Sequence, residues 1–216
     1  AANEVTPTAQ PSATGANAVA IGDSAVASGS DSFAIGDNAD ATSGGAIAIG
    51  TGAQSTSFHT IAIGESSSAS GNRAMALGRT ASASADYSTA IGLNSSVQGS
   101  VTATGAGAMA LGGSYASGAD SFAAAIDNNT SSYGATGANS VAIGEQAKAT
   151  AANSTALGWA SQTSGNGRAT AIGYLTNASK YGATALGFST TASGDYSTAI
   201  GRSTYVSGQD SVGIGY

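Results

Sequence analysis

A single histidine, His59, stands in a chain of 216 residues that has no cysteine. One imidazole cannot make a two-histidine metal site within one chain, and without thiols there are no disulfides, thiolate metal sites or thiol catalysis. The twelve acidic residues are scattered singly, as at Asp23, Asp37, Asp86 and Asp195. None forms the alternating Asp-x-Asp-x-Asp run of a calcium loop, and the Gly-Gly-x-Gly-x-Asp nonapeptide of calcium β-rolls is absent. The many glycines are not followed by Lys-Ser or Lys-Thr, so no phosphate-cradling loop is indicated. Six Lys and Arg, none clustered, in a chain of net charge −6 argue against nucleic acid. The expectation is therefore no catalytic residue, no metal site and no cofactor, with His59 a solvated turn residue.

The elements that carry these residues must be unusual. Val, Ile, Leu and Phe together number only 30, whereas Ala, Ser, Gly and Thr number 48, 34, 32 and 23. So few large apolar residues lean towards disorder, yet charged residues make up only 8% and Pro occurs twice. A repeat resolves the conflict. A hexapeptide closing on Ile-Gly or Leu-Gly recurs from Asn17–Gly22 to Asp210–Gly215, with glycines at 22, 36, 50, 64, 78 and 92 spaced by 14. It resumes at Gly112, Gly144, Gly158, Gly173, Gly187, Gly201 and Gly215. Fourteen residues are too few for a helical hairpin, and the alternation has the period of a strand. We number each coil so that the Ile/Leu-Gly pair occupies positions 5 and 6.

Positions 3 to 5 predict one strand and positions 9 to 12 a second, weaker one, joined by corners. Glycine at 6 and often at 13 (Gly29, Gly71, Gly99, Gly194, Gly208) is expected to supply positive φ at the corners. The prediction is an all-β, parallel β-solenoid or β-roll with coils about 4.8 Å apart. Residues 16–216 form one repeat domain with irregular stretches at 100–106 and 113–138. Residues 1–15, with Pro7 and Pro11, are a non-repeating extension.

The first strand is apolar on both faces. Positions 3 and 5 carry Val19, Ile21, Phe33, Ile35, Ile47, Ile49, Ile61, Ile63, Leu77, Ile91, Val141, Ile143, Leu157, Ile172, Leu186 and Ile200. This face is expected to fill the core. Position 3 turns to threonine at Thr155, Thr170, Thr184 and Thr198 on that same face. Position 4 carries Ala20, Ala34, Ala48, Ala62, Ala76, Ala90, Ala110, Ala142, Ala156, Ala171, Ala185 and Ala199. A strand apolar on both faces reads as buried on both, so this alanine row is expected to be the seam against other copies in an obligate homo-oligomer. The alternative on composition alone is a monomer in which the alanines are filler. The repeat does not give the order of symmetry.

The chain contains Asn139-Ser140-Val141-Ala142-Ile143-Gly144, with close variants at 17–22, 31–36, 87–92 and 196–201. These hexapeptides, in frame over roughly 16–216, resemble the head repeats of trimeric autotransporter adhesins of the YadA type. The resemblance implies a left-handed parallel β-roll assembled as a homotrimer. It further implies display on the outer face of a Gram-negative outer membrane and adhesion to host matrix proteins, cells or surfaces. No basic neck, heptad stalk or barrel anchor lies within the 216 residues, so the expectation is a head fragment whose anchor is inferred.

Binding is the remaining chemistry. Large aromatic residues interrupt a small, polar surface, and exposed rings supply contact area at low entropic cost. Trp159, Tyr174, Tyr181, Tyr196 and Tyr205, with Tyr115 and Tyr133 in the irregular stretch beside Asp127, Asn128 and Asn129, are the candidate contacts. Phe58, Tyr87 and Phe188 belong to the same set. Their alternative role is to plug corners between coils or protomers. Candidate partners are the chain itself and collagen, fibronectin, laminin or another surface ligand. Rival readings are a structural spacer, a segment of a phage or other surface fibre, and an ice-binding solenoid. The last is disfavoured because the threonine run shares the face assigned to the core.

Overall fold

The computed structural model describes residues 9–92, 100–124 and 133–216. Residues 1–8 of the expected extension, Gly99, and Asp127, Asn128 and Asn129 lie outside the described residues. The described residues contain 28 strands and no helix, and the chain divides into two compact units.

Each unit is built from two parallel sheets facing one another across a thin interior. In the first, three-residue strands run from Val19–Ile21 through Phe33–Ile35, Ile47–Ile49 and Ile61–Ile63 to Met75–Leu77 and Thr89–Ile91. Two-residue strands run from Ser12–Ala13 through Val26–Ala27 to Ser82–Ala83 and Thr102–Ala103. Pairing joins equivalent residues of successive coils: Ala34 to Ala48 and Ala48 to Ala62, for example. The second unit repeats the scheme, from Met109–Leu111 to Val212–Gly215 in one sheet and from Tyr115–Ala116 to Tyr205–Val206 in the other. A parallel β-solenoid results, as the 14-residue period predicts.

Ser12 and Ala13 lie inside the expected extension, yet they form a short strand in register with Val26 and Ala27. The described parts of the irregular stretches also keep their place in the sheets. Thr102 pairs with Ser82, Phe122 with Met109 and Val141, and Gly134 with Lys148.

The inside and outside of the long strand are the reverse of the expected faces. Among the described residues every buried hydrophobic is alanine except Val101 and Val206. The row expected as the seam lies inside its own protomer. Ala34, Ala48, Ala62, Ala76, Ala90, Ala110, Ala142, Ala156, Ala171, Ala185 and Ala199 have no exposed surface, and Ala20 is partly buried against the same core. The row expected as the core points outward. Ile21, Phe33, Ile63, Ile91, Leu157 and Ile172 are exposed, and Val19, Ile35, Ile47, Ile49, Ile61, Leu77, Val141, Ile143, Leu186 and Ile200 are half-exposed. The threonines Thr155, Thr170, Thr184 and Thr198 are half-exposed on that same outer face.

The cause is the width of the coil. Two strands of two and three residues, closed by tight corners, leave room for little more than a methyl group from each wall. Positions 2, 4, 9 and 11 supply that interior, and all are Ala, Ser or Thr save Val101 and Val206 among the described buried residues. Interior packing is dense and tolerates little added volume, so the larger side chains have no place but outside. Several buried hydroxyls bond within their own corner, whereas that of Thr176 is enclosed without a partner. At position 2, Ser32 donates to the Gly29 carbonyl at 2.7 Å and Ser197 to the Gly194 carbonyl at 2.7 Å. At position 9, Ser67 donates to the Gly64 carbonyl at 2.9 Å.

Glycine serves the corners in two different ways. At position 6 it holds a positive φ, 135° at Gly36, where an added Cβ would lie 2.6 Å from the Gly50 carbonyl carbon of the next coil. At position 13 the expected positive φ is absent at Gly29 and Gly71. There glycine is needed because a Cβ at Gly71 would run into the carbonyl of Ala85. The left-handed residues are instead at positions 1 and 8, and most are not glycine. Asp31, His59 and Tyr196 at position 1 have φ of 55°, 53° and 56°, and Asn38 and Ser66 at position 8 have 52° and 54°.

Candidate binding surface

Because every coil repeats the same corners, exposed side chains fall into columns. The first column runs along positions 14 and 1. In the first unit it brings together Phe58, His59, Arg73 and Tyr87. The Arg73 guanidinium donates to the Tyr87 hydroxyl at 2.8 Å and lies 5.5 Å from its ring centre, and Phe58 and Tyr87 are 60% and 58% exposed. His59 is exposed with its ring laid over Gly45, where a Cβ would sit 2.8 Å from the imidazole. In the second unit Tyr196 lies in the same way over Gly182, edge-on to Tyr181 at 5.4 Å between centres, with Arg168 5.7 Å from the Tyr181 ring. Position 1 thus displays bulky residues because its left-handed backbone turns them out of the coil.

The acids of these corners have structural partners. Asp86 accepts a hydrogen bond from the Asn72 amide at 2.9 Å, and Asp195 one from the Tyr181 amide at 3.2 Å, each in the preceding coil. Among the described residues no three His, Asp or Glu side chains come together as a cation site would require.

A second column, position 10, lines the outer face of the short strands. Val26, Asp40 and Gln54 follow one another in register, and in the second unit the column includes Lys148, Gln162, Asn177, Thr191 and Tyr205. Tyr205 is exposed, Tyr115 half-exposed in the same column, and Tyr133 half-exposed one residue before it. Asp40 stands apart in this column. Burial raises its pKa above 3.8, and its Oδ1 is enclosed without a hydrogen-bond partner.

The third column, position 7, changes character along the chain. In the first unit it holds Asp23, Asp37, Thr51, Glu65 and Arg79, with Arg79 Nε 3.3 Å from Glu65 in an exposed ion pair. Such a pair contributes no more than about 1 kcal/mol. In the last coils it holds Trp159, Tyr174, Phe188, Arg202 and Tyr216. Trp159 stacks on Tyr174 at 4.7 Å and 12°, and Tyr174 on Phe188 at 4.9 Å and 7°. Arg202 continues the column, 5.6 Å from the Phe188 ring and 5.1 Å from that of Tyr216, to whose hydroxyl it donates at 2.6 Å. The structure therefore splits the expected aromatic set. Trp159 and Tyr174 join the stack, Tyr181 and Tyr196 the corner, and Tyr115 and Tyr205 the short-strand face. Sequence reasoning left Arg202 and Tyr216 out of the stack, although both follow the Ile-Gly pair as Trp159 and Tyr174 follow theirs.

The repeat also has a counterpart among known proteins. A search of curated proteins returns no match. The family described as YadA head domain repeat (2 copies) matches residues 13–39, 55–79, 69–95, 135–161, 152–176, 166–190 and 178–204, more than half of the chain. That family is one of structural adhesin heads, not of enzymes, and its members are typically homotrimers. The chain belongs to the YadA head repeat family.

Proposed function

We propose that this chain is the head of a cell-surface adhesin that assembles as a homotrimer and binds matrix proteins, cells or surfaces by many weak contacts. One observation carries the reading: the coil turns its large apolar side chains outward in two in-register columns while the corners display a separate set of rings. In the first unit the columns at positions 3 and 5 form an apolar strip from Val19 and Ile21 to Met75 and Leu77, of the kind that marks an interaction surface; in the second unit column 5 carries it on from Ile143 to Ile200 beside the threonines. We assign that strip, in place of the alanine row, to contact between copies.

The corner columns, with Phe58, Tyr87, Tyr181 and Tyr196, are left for a foreign surface. Contacts repeated along the coils and multiplied by symmetry give avidity without a deep pocket. Collagen, fibronectin and laminin are the candidate ligands, and the outer face of a Gram-negative outer membrane is the proposed location.

Solid-phase binding to the three matrix proteins, to cells and to an abiotic surface tests adhesion. Saturable binding by the assembled head, reduced at least tenfold in the Tyr87→Ser/Tyr196→Ser variant, is expected. No binding to any of them would leave the head a spacer.

The outward threonine column removes the ground on which an ice-binding surface was disfavoured. Its four consecutive threonines nevertheless stand beside a bulkier Leu157–Ile172–Leu186–Ile200 column and the projecting rings of position 7. A flat threonine array is not formed. Freezing-point depression at the level of salt controls is the expected result.

A further inference from the structure

Within the second unit the outer face of the long strands changes composition at one coil. Up to that coil, position 3 is bulky, with Met109, Phe122 and Val141, and position 7 of the Val141 coil is Glu145. From the next coil, position 3 is Thr155, Thr170 and Thr184, and position 7 is Trp159, Tyr174 and Phe188. The strands lengthen one coil later. Val141–Ile143 and Thr155–Leu157 end at position 5, whereas Thr170–Tyr174, Thr184–Phe188 and Thr198–Arg202 run on to position 7. Since side chains two apart share a face, positions 3, 5 and 7 of these coils lie side by side. Bulk removed from one margin of the strip is replaced at the other, and between them the Ile/Leu column, broken at Ala124, runs on from Ile143 through Leu157, Ile172 and Leu186 to Ile200.

We propose that in these last coils a second copy of this chain packs on columns 5 and 7, with the Trp159–Tyr174–Phe188 stack as its contact. The proposal rests on the assembly reading above and names where that interface runs. A surface meant only for water has no cause to conserve its bulk from coil to coil, whereas an interface that must stay covered does. The geometry of the stack points the same way. Both faces of Tyr174 and Phe188 and one face of Trp159 are taken by one another and by Arg202, so along most of its length the stack offers ring edges in an apolar strip. Sugars and other ligands that bind by stacking need an open ring face. An apolar sheet face of another copy needs only the strip. Tyr174 and Phe188 are 41% and 45% exposed and flank Ile172 and Leu186, so the stack extends the assembly strip without a gap.

Trp159 is the sole tryptophan and reports on the contact directly. Sedimentation of the wild-type chain and acrylamide quenching of its fluorescence form the first measurement. In the assembled protein the quenching constant is expected to fall at least fivefold below that of the urea-unfolded chain; a smaller fall in an assembled protein overturns the proposal. Tyr174→Ser/Phe188→Ser is expected to raise the dissociation constant of assembly at least tenfold, with the strand signature in circular dichroism kept. Tyr205→Ser, a more exposed ring on the other sheet, should leave it unchanged. A double variant that assembles like the wild type overturns the proposal while leaving self-assembly standing. A monomeric wild type overturns the assembly reading itself, and this proposal with it.

Discussion

Two residues test the walls of the coil directly, one on the inner face and one on the outer. Ala142 has no exposed surface, and its neighbours Ala123 and Ala156 in the adjacent coils are equally closed. Ala142→Leu forces three extra carbons into a space sized for a methyl, and overpacking of this kind costs about 1–3 kcal/mol or more. A lower midpoint in thermal or urea unfolding is the expected outcome, and unchanged stability would contradict the enclosed position. Asp40 tests the other wall. Burial holds its folded pKa above the unfolded 3.8, so the folded state binds the proton more tightly than the unfolded chain. Its contribution therefore favours folding at low pH and is lost as pH rises from about 3.8 through the folded value. Asp40→Asn removes the charge: a higher unfolding midpoint at pH 7 is expected, with the gain vanishing below pH 3.8 in melts across that range.

At the scale of the coil, stacking sets the constraints. Each long strand bonds only to its equivalents above and below, and the corner glycines let backbones pass without a Cβ between them. Gly36→Ala meets both obstacles at once, a φ of 135° and a carbonyl carbon 2.6 Å from the new Cβ. A loss of at least about 1–3 kcal/mol is expected from the strained backbone alone, measured by urea unfolding. The same substitution at Gly52, where φ is 64° and the closest contact is the Ser66 hydroxyl at 3.7 Å, is expected to cost about 1 kcal/mol. Non-glycine residues already tolerate that left-handed conformation at the equivalent Asn38 and Ser66. The ordering of the two, more than either value, checks the distinct roles of the corners.

For the whole molecule, the reversed faces make a prediction that separates folding from assembly. Ala142→Glu buries a charge in the protomer, so loss of the fold is expected, with the strand signal gone from circular dichroism. Ile47→Glu sits on the outer strip, where Ile47 is half-exposed between Phe33 and Ile61. A folded chain that has lost self-association is the expected result there, read by sedimentation alongside circular dichroism. If instead Ala142→Glu stayed folded and Ile47→Glu unfolded, the faces would be those first expected from the sequence. The tyrosines at the corners should be silent in both assays, because they lie on neither face of the long strand.

Much of this architecture was legible from residue spacing. The 14-residue frame and the Ile/Leu-Gly pair determined the period, the two strands per coil, the parallel in-register stacking and the family. Alternation along Val141-Ala142-Ile143 likewise determined that positions 3 and 5 oppose position 4. It could not say which side is inside, since a two-sided apolar strand satisfies either choice. The tertiary structure decided that, because walls this short leave an interior only a methyl deep, and alanine alone among the two sets fits it. It also decided what the aromatic residues are. Trp159, Tyr174 and Phe188, dispersed along the sequence, become one stack because each coil rises by about one ring-stacking distance.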